Sequence, residues 1–406
     1  MNLAYHNLKN GIRFVHCRTD GMVAHCGLII KTGSRNEEDH EHGMAHFIEH
    51  MLFKGTKKRK PYHILSRLDD VGGELNAYTT KEETAIHASV LKENYERAVD
   101  LICDIAFNSV LPEKEIKKEK EVITEEINSY LDNPGELIFD EFEEVVFPNQ
   151  PLGHNILGTT DNIKRFSRDD LQYFISGNYN TDEMVFCSVG NISDKKAIYI
   201  FEKYFSSIGS KPVVRHNTKN TIYKQTIVTK QKNTYQNHCI IGNAAYSIKH
   251  KKQTGMYLLN NIMGGPGLNS RLNLSLREKN GLAYNVESGY SAYSDTGLFL
   301  IYFGTENNNF QKSTDIIMEE LKKMRNKSLG IIQLSKAKSQ IKGAIARAYE
   351  NHENLMLSIG KSLLVLNRID TLGESCRKID NLNSSDLLEI ANEIFSLPEL
   401  SFLTYK

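Results

Sequence analysis

GMAHFIEHML, residues 43–52, sets two histidines and a glutamate inside an apolar run. His46, Glu49 and His50 interrupt Met44, Ala45, Phe47, Ile48, Met51 and Leu52, residues that suit a buried helix. Burying two imidazoles and a carboxylate without partners costs on the order of several kcal/mol, so something must compensate them. Residues four apart on a helix lie one turn apart on the same face. His46 and His50 therefore aim at one point, with Glu49 on the adjoining flank. Two imidazoles plus one carboxylate suit Zn2+, with a fourth position left for water. A nearby carboxylate that is not a ligand can then take the water's proton. The spacing is H-x-x-E-H, the reverse of H-E-x-x-H with the same one-face logic. His40 and His42, just before Gly43, look exposed and read as bystanders.

The two histidines require a third ligand from elsewhere. The charged helical stretch EKEIKKEKEVITEEINSY offers Glu119 and Glu126, seven apart on one face, and Glu121 and Glu125, which point differently. Helical geometry leaves these alternatives open, and a merely solvated charged helix accounts for the stretch equally well.

Outward from these segments, the chain divides in two. At 406 residues it exceeds the size of a single core. Strand-like IRFVHC and MVAHCGLIIKTGS precede the 43–52 helix; a second helix, the strands within ELNAYTTKEETAIHASVL, long helices and the buried strand MVFCSVGN follow. The order recurs later through HCIIGNAAY, QTGMYLLNNIMGG, YNVESGYSAYS and GLFLIYFGT. This predicts an α+β protein of two homologous units in tandem, each a mixed or antiparallel sheet with helices. The expected division is 1–208, a polar linker at 209–222, and 223–406. In the second unit TGMYLLNNIMGG takes the place of GMAHFIEHML without His or Glu, so that copy lacks the metal motif.

Fifty basic and fifty acidic residues leave no formal net charge, which argues against nucleic acid or an anionic membrane as partner. No apolar run approaches the ~20 residues of a spanning helix. The basic run FKGTKKRK (53–60) reads as a solvated loop. Six scattered cysteines without CxxC spacing, Cys103 and Cys187 among them as core thiols, suit a reducing compartment. No secretory or transit pattern opens the sequence, and the expected location is cytoplasmic.

The segment GSRNEEDHEHGMAHFIEHMLFKGT resembles the zinc-site block of the inverzincin, pitrilysin-type metallopeptidases, especially the processing-peptidase branch. GGELNAYTTKEET, EKEVITEEI, PLGHNILGT, NYNTDEMVFCSVGNI and GGPGLNSRLNLSLREKNGLAYNV resemble further blocks, so the likeness spans nearly the whole chain. In that family the third ligand follows the second His by about 76 residues. Here 126 − 50 = 76, and the resemblance selects Glu126 as ligand and Glu119 as the carboxylate that orients a ligand.

The resemblance implies one Zn2+ per chain on His46, His50 and Glu126, with Glu49 as general base for hydrolysis of peptides or unfolded polypeptide segments. It further implies that Arg271 and Tyr284 grip substrate, Tyr284 also stabilising the oxyanion. Asn76 and Ala77 would lie on a strand that pairs with the extended peptide. Family members enclose a chamber from four such units, and this chain holds two, so a homodimer is expected, with a heterodimer as the other arrangement. The alternatives are a non-catalytic structural subunit of the same fold and a catalytic subunit that needs a separate partner chain.

Overall fold

A computed structural model of the chain describes residues 2–212, 223–232 and 234–406; most of the 209–222 linker expectation therefore lies outside the described residues. The first sheet contains β1 (Leu3–Asn7), β2 (Arg13–Arg18), β3 (Val23–Ile30), β4 (Glu74–Thr79), β5 (Thr84–Leu91) and β6 (Met184–Gly190). The second contains β7 (Ile227–Lys230), β8 (Asn237–Ala245), β9 (Ala283–Ala292), β10 (Gly297–Thr305) and β11 (Ser401–Tyr405). Spatial orders are β1-β2-β6-β3-β5-β4 and β7-β11-β8-β10-β9.

The two sheets repeat one topology. β2 pairs with β6 in parallel, as β7 does with β11. The antiparallel ladders β6-β3, β3-β5 and β5-β4 match β11-β8, β8-β10 and β10-β9. β1 is an addition to the first sheet. The expected duplicated α+β unit is therefore present, and the helix Gln253–Gly264 follows β8 as Met44–Leu52 follows β3.

Central strands buried on both faces read as continuous apolar runs, and every residue of β6 is buried. One face of the first sheet packs against helices that include Met44–Leu52, Tyr95–Asn108 and Arg168–Asn178, in a core containing Phe14, Leu28, Phe47, Ile86, Ile102 and Phe186. The other face is covered by the helix His352–Leu366 through Met356, Ile359 and Leu363. The second sheet has its own main core around Ile241, Leu259, Phe299 and Phe303. Its other face is covered by the helix Pro134–Val146 through Ile138 and Phe142. The compact units are thus interleaved in sequence: Met1–Asn128, His154–Thr218 and Arg347–Ile369 form one, and Ser129–Gly153, Lys219–Ala346 and Asp370–Lys406 the other. Each sheet is covered by one helix from the opposite half of the sequence.

The basic run at 53–60 is more tied down than a solvated loop. Lys54 pairs with Glu119 at 2.7 Å, and Arg59 bridges Asp100 and Asp104 of the helix Tyr95–Asn108. Only Lys57, Lys58 and Lys60 are exposed.

Two glycines test the packing in opposite directions. A Cβ on Gly360, inside His352–Leu366, would lie 2.6 Å from Cys187 Sγ and 2.7 Å from Ile29 Cδ1. A Cβ on Gly177, in the helix Arg168–Asn178, would meet nothing within 4 Å. Gly360→Ala should lose about 1–3 kcal/mol from overpacking despite its better helix propensity. Gly177→Ala should gain about 0.4–1 kcal/mol. Urea unfolding followed by circular dichroism checks both signs.

Candidate metal centre

The helix Met44–Leu52 is seated by its apolar residues: Met44, Ala45, Phe47, Ile48, Met51 and Leu52 are all buried. Its remaining face carries His46, Glu49 and His50. Opposite stands the acidic helix Glu113–Leu131, whose buried residues Ile116, Glu119, Ile123 and Ile127 recur at helical spacing. That stripe includes the buried Glu119 and sets Glu126, itself 44% exposed, beside the histidines, while the exposed Glu121 and Glu125 make no contact with them. The geometry thus separates faces that helical spacing alone left equivalent.

Ligand-type atoms of His46, His50 and Glu126 all lie within 4.8 Å of one another. His46 Nε2 is 3.8 Å from Glu126 Oε1, and His50 Nε2 is 3.6 Å from Glu126 Oε2. The imidazole centroids are 4.7 Å apart with planes at 70°. These separations exceed hydrogen-bond length and leave the three groups facing a common point.

On its far side His50 Nδ1 donates to Glu119 Oε2 at 3.1 Å. A carboxylate only accepts, so the bond places the proton on Nδ1 and leaves Nε2 with a free lone pair. Glu119 is itself buried and held by Lys54 through its other oxygen. Carboxylate–histidine pairs of this kind fix the tautomer of metal-binding histidines.

Burial, reinforced by the neighbouring His50 charge, pushes His46 down to about 4, so it is neutral at pH 7. The neutral imidazole is the form that binds metal. Burial raises the Glu49 carboxyl, with Thr79 and the His50 charge drawing it partly back. Thr79 ends β4, an edge strand of the first sheet. Asn76 and Ala77 lie on that strand, opposite His87 and Ile86 of β5. On its other side β4 pairs with no strand among the described residues.

His40 and His42 stand outside the cluster. His40 is exposed beside Glu38, and His42 bonds the Asn155 carbonyl at 2.6 Å and stacks on His154. Arg271 and Tyr284 belong to the second unit. Arg271 pairs with Glu320 at 3.1 Å and borders a cleft of about 470 Å³. Tyr284 is exposed, with the Arg277 guanidinium over its ring. The helix Gln253–Gly264, at the equivalent place in the second unit, carries no His or Glu. Sequence reasoning missed Lys54 and Thr79. Lys54 had a weak signal, a cation four residues after His50 and just beyond the end of its helix.

Two family models match the chain. Residues 15–160 match the one described as "Insulinase (Peptidase family M16)", and residues 165–341 the one described as "Peptidase M16 inactive domain". An uncharacterized zinc protease of Bacillus subtilis, YmxG, is 35% identical over 390 residues, covering 96% of this chain and 94% of that protein. The mitochondrial-processing peptidase subunit beta of Saccharomyces cerevisiae is 29% identical over 384 residues, covering 90% and 82%. The crystal structure of a protease from Helicobacter pylori superposes with a TM-score of 0.90 at 24% identity, over 100% of this chain and 99% of that one, which establishes a shared fold.

The His50–Glu119 bond carries its own test. Glu119→Ala should weaken Zn2+ binding by about 10- to 100-fold, read by competition with a chromophoric chelator, while the circular dichroism spectrum stays that of the parent chain.

Proposed function

The chain belongs to the insulinase family of metallopeptidases, peptidase family M16, and on that premise we propose that it is a zinc-dependent endopeptidase acting on peptides or unfolded polypeptide segments. The observation that carries the reading is the convergence of His46, His50 and Glu126 on one point. Two imidazoles and a carboxylate are a donor set suited to Zn2+, one per chain. Zinc held there would supply a Lewis acid that polarises a peptide carbonyl and acidifies water.

The chain's own residues do the rest. Glu49 sits on the helix that carries both histidines, and its partial burial raises its proton affinity. A carboxylate so placed takes a proton from the attacking water and returns it to the leaving amine nitrogen. Glu119 and Lys54 hold His50 in the tautomer that presents Nε2. The open edge of β4 at Asn76 and Ala77 offers backbone groups to an extended peptide, which would add as a strand. Such an edge suits unfolded rather than folded substrates. Arg271 and Tyr284 are assigned to substrate binding, Tyr284 also as a phenol donor to the developing oxyanion.

We assign the working form as a homodimer, in which two chains supply the four units of a closed chamber. A second reading, a catalytic subunit working beside a different chain, is favoured by the likeness to a relative named as a processing-peptidase subunit. Six free thiols, five of them buried, support a reducing, cytoplasmic setting. Among the described residues no helix is long and apolar enough to cross a membrane.

Mass-spectrometric cleavage of an unfolded-peptide pool tests the assignment. Zinc-loaded Glu49→Gln should retain metal and lose at least about 100-fold in rate. Glu126→Gln should lose metal affinity itself. Equal zinc retention by the two variants would remove Glu126 from the ligand set.

A further inference from the structure

Helices ordinarily begin on Ser, Thr, Asp or Asn, whose side-chain oxygen takes one of the unpaired N–H groups of the first turn. The helix Met44–Leu52 begins on Gly43, which has no side chain to offer. Nor can another residue stand there. Gly43 has φ +97°, and a Cβ on it would lie 2.8 Å from Gly158 Cα and from Leu157 O. Gly158 has φ +80°, and its own Cβ would fall 2.5 Å from Gly43 Cα. The two glycines pack back to back, and a cap at position 43 itself is excluded.

The missing oxygen comes from Glu37. Its Oε2 accepts the Gly43 N–H at 2.9 Å and its Oε1 accepts the Ala45 N–H at 2.8 Å. One side chain thus serves two N–H donors and sets a carboxyl at the positive end of the helix. The group is 2% exposed. Burial pushes it up to about 8, while the two N–H bonds and Lys81 pull the other way. The loop that carries it is held independently: Ser34 N–H donates to Thr80 O at 3.1 Å and Arg35 N–H to Lys81 O at 2.8 Å. Asn162 also donates to Asp39 O at 3.0 Å. Glu37 therefore reaches the helix from a fixed base.

We infer that Glu37 is a positioning residue for the metal centre: by capping the histidine helix from outside, it sets the aim of His46, Glu49 and His50. This rests on the zinc-peptidase reading for its consequence and on the hydrogen bonds for its geometry. Ala45 directly precedes His46, so fraying of the first turn displaces His46 before any other ligand.

The test uses the whole chain at a temperature well below unfolding. It measures Zn2+ affinity by chelator competition, and hydrogen exchange of amides 43–52 in the metal-free protein. Glu37→Gln, nearly isosteric, turns an amide toward a backbone donor. Gly360→Ala, on the opposite face of the sheet, serves as a control for general destabilisation. The expected result is faster exchange at 43–52 and at least a tenfold loss of Zn2+ affinity in Glu37→Gln, with Gly360→Ala at the parent value in both. Glu37→Asp, which keeps the carboxyl group and shortens the reach, should fall between and replaces the glutamine variant if that one does not fold. Effects no larger than those of the control overturn the inference. Faster exchange with unchanged affinity leaves a cap but overturns the positioning role. A parent chain that binds no Zn2+ sinks the zinc-peptidase reading and the positioning role with it, while the exchange rates still decide whether Glu37 caps the helix.

Discussion

Nine residues are too few to make a helix that holds itself in water, yet Met44–Leu52 carries both imidazoles and the glutamate of the candidate site. Its stability comes from outside. Six apolar side chains bury it against the first sheet, and Glu37 closes its amino end. Each constraint limits a different freedom: the apolar face stops the helix rolling, and the Glu37 carboxyl stops its first turn from unwinding. With both in force, His46 and His50 have little choice of direction. The acidic helix brings Glu119 and Glu126 to them by the same logic, because Ile116, Ile123 and Ile127 must face inward.

Duplication explains why the second unit can lack the histidine motif. The sheets share pairing order and strand direction, so the physical demand they make on the helix after the second strand of the repeat is the same: an apolar face to bury. Gln253–Gly264 meets it with Met256, Leu258, Leu259 and Met263. Nothing in that demand requires His or Glu, and the second copy has neither. The covering helices obey the same economy. A sheet buried on both faces needs a second layer, and Pro134–Val146 and His352–Leu366, equivalent elements of the two sequence repeats, each supply it to the sheet of the other repeat.

That exchange was invisible in the sequence for a simple reason. Swapping two equivalent amphipathic helices leaves each with the same periodicity and each sheet with the same cover, so no local pattern records which sheet a helix serves. Much else was legible. The i, i+4 spacing of the histidines and the apolar residues between them defined the helix and its polar face. The recurrence of strand and helix order defined the duplication. Helical spacing leaves the choice among the acidic residues open and the resemblance makes it. The isoleucine stripe of the acidic helix signals only Glu119, which is buried within it, while Glu126 stays exposed. Glu37 had only an indirect one. Its partners are backbone N–H groups of Gly43 and Ala45, which no residue type advertises, and the hint was a helix that begins on a glycine.

The electrostatics of the cluster make sense only as a whole. Glu49, Glu119 and Glu126 bring three carboxyl groups into one small region, and Lys54 is the ammonium paired with them. With all of them ionised, two negative charges remain. Protonating the imidazoles would offset these, but burial and mutual repulsion oppose it at His46, and its Nδ1 has no hydrogen-bond partner among the described residues. Raising the proton affinity of Glu49 relieves part of the excess and at the same time suits that group to proton transfer. A divalent cation relieves all of it without charging either imidazole. The arrangement is therefore poorly balanced as a purely structural cluster of side chains, and it is balanced as a cradle for a doubly charged ion whose neighbouring carboxyl remains free to move a proton.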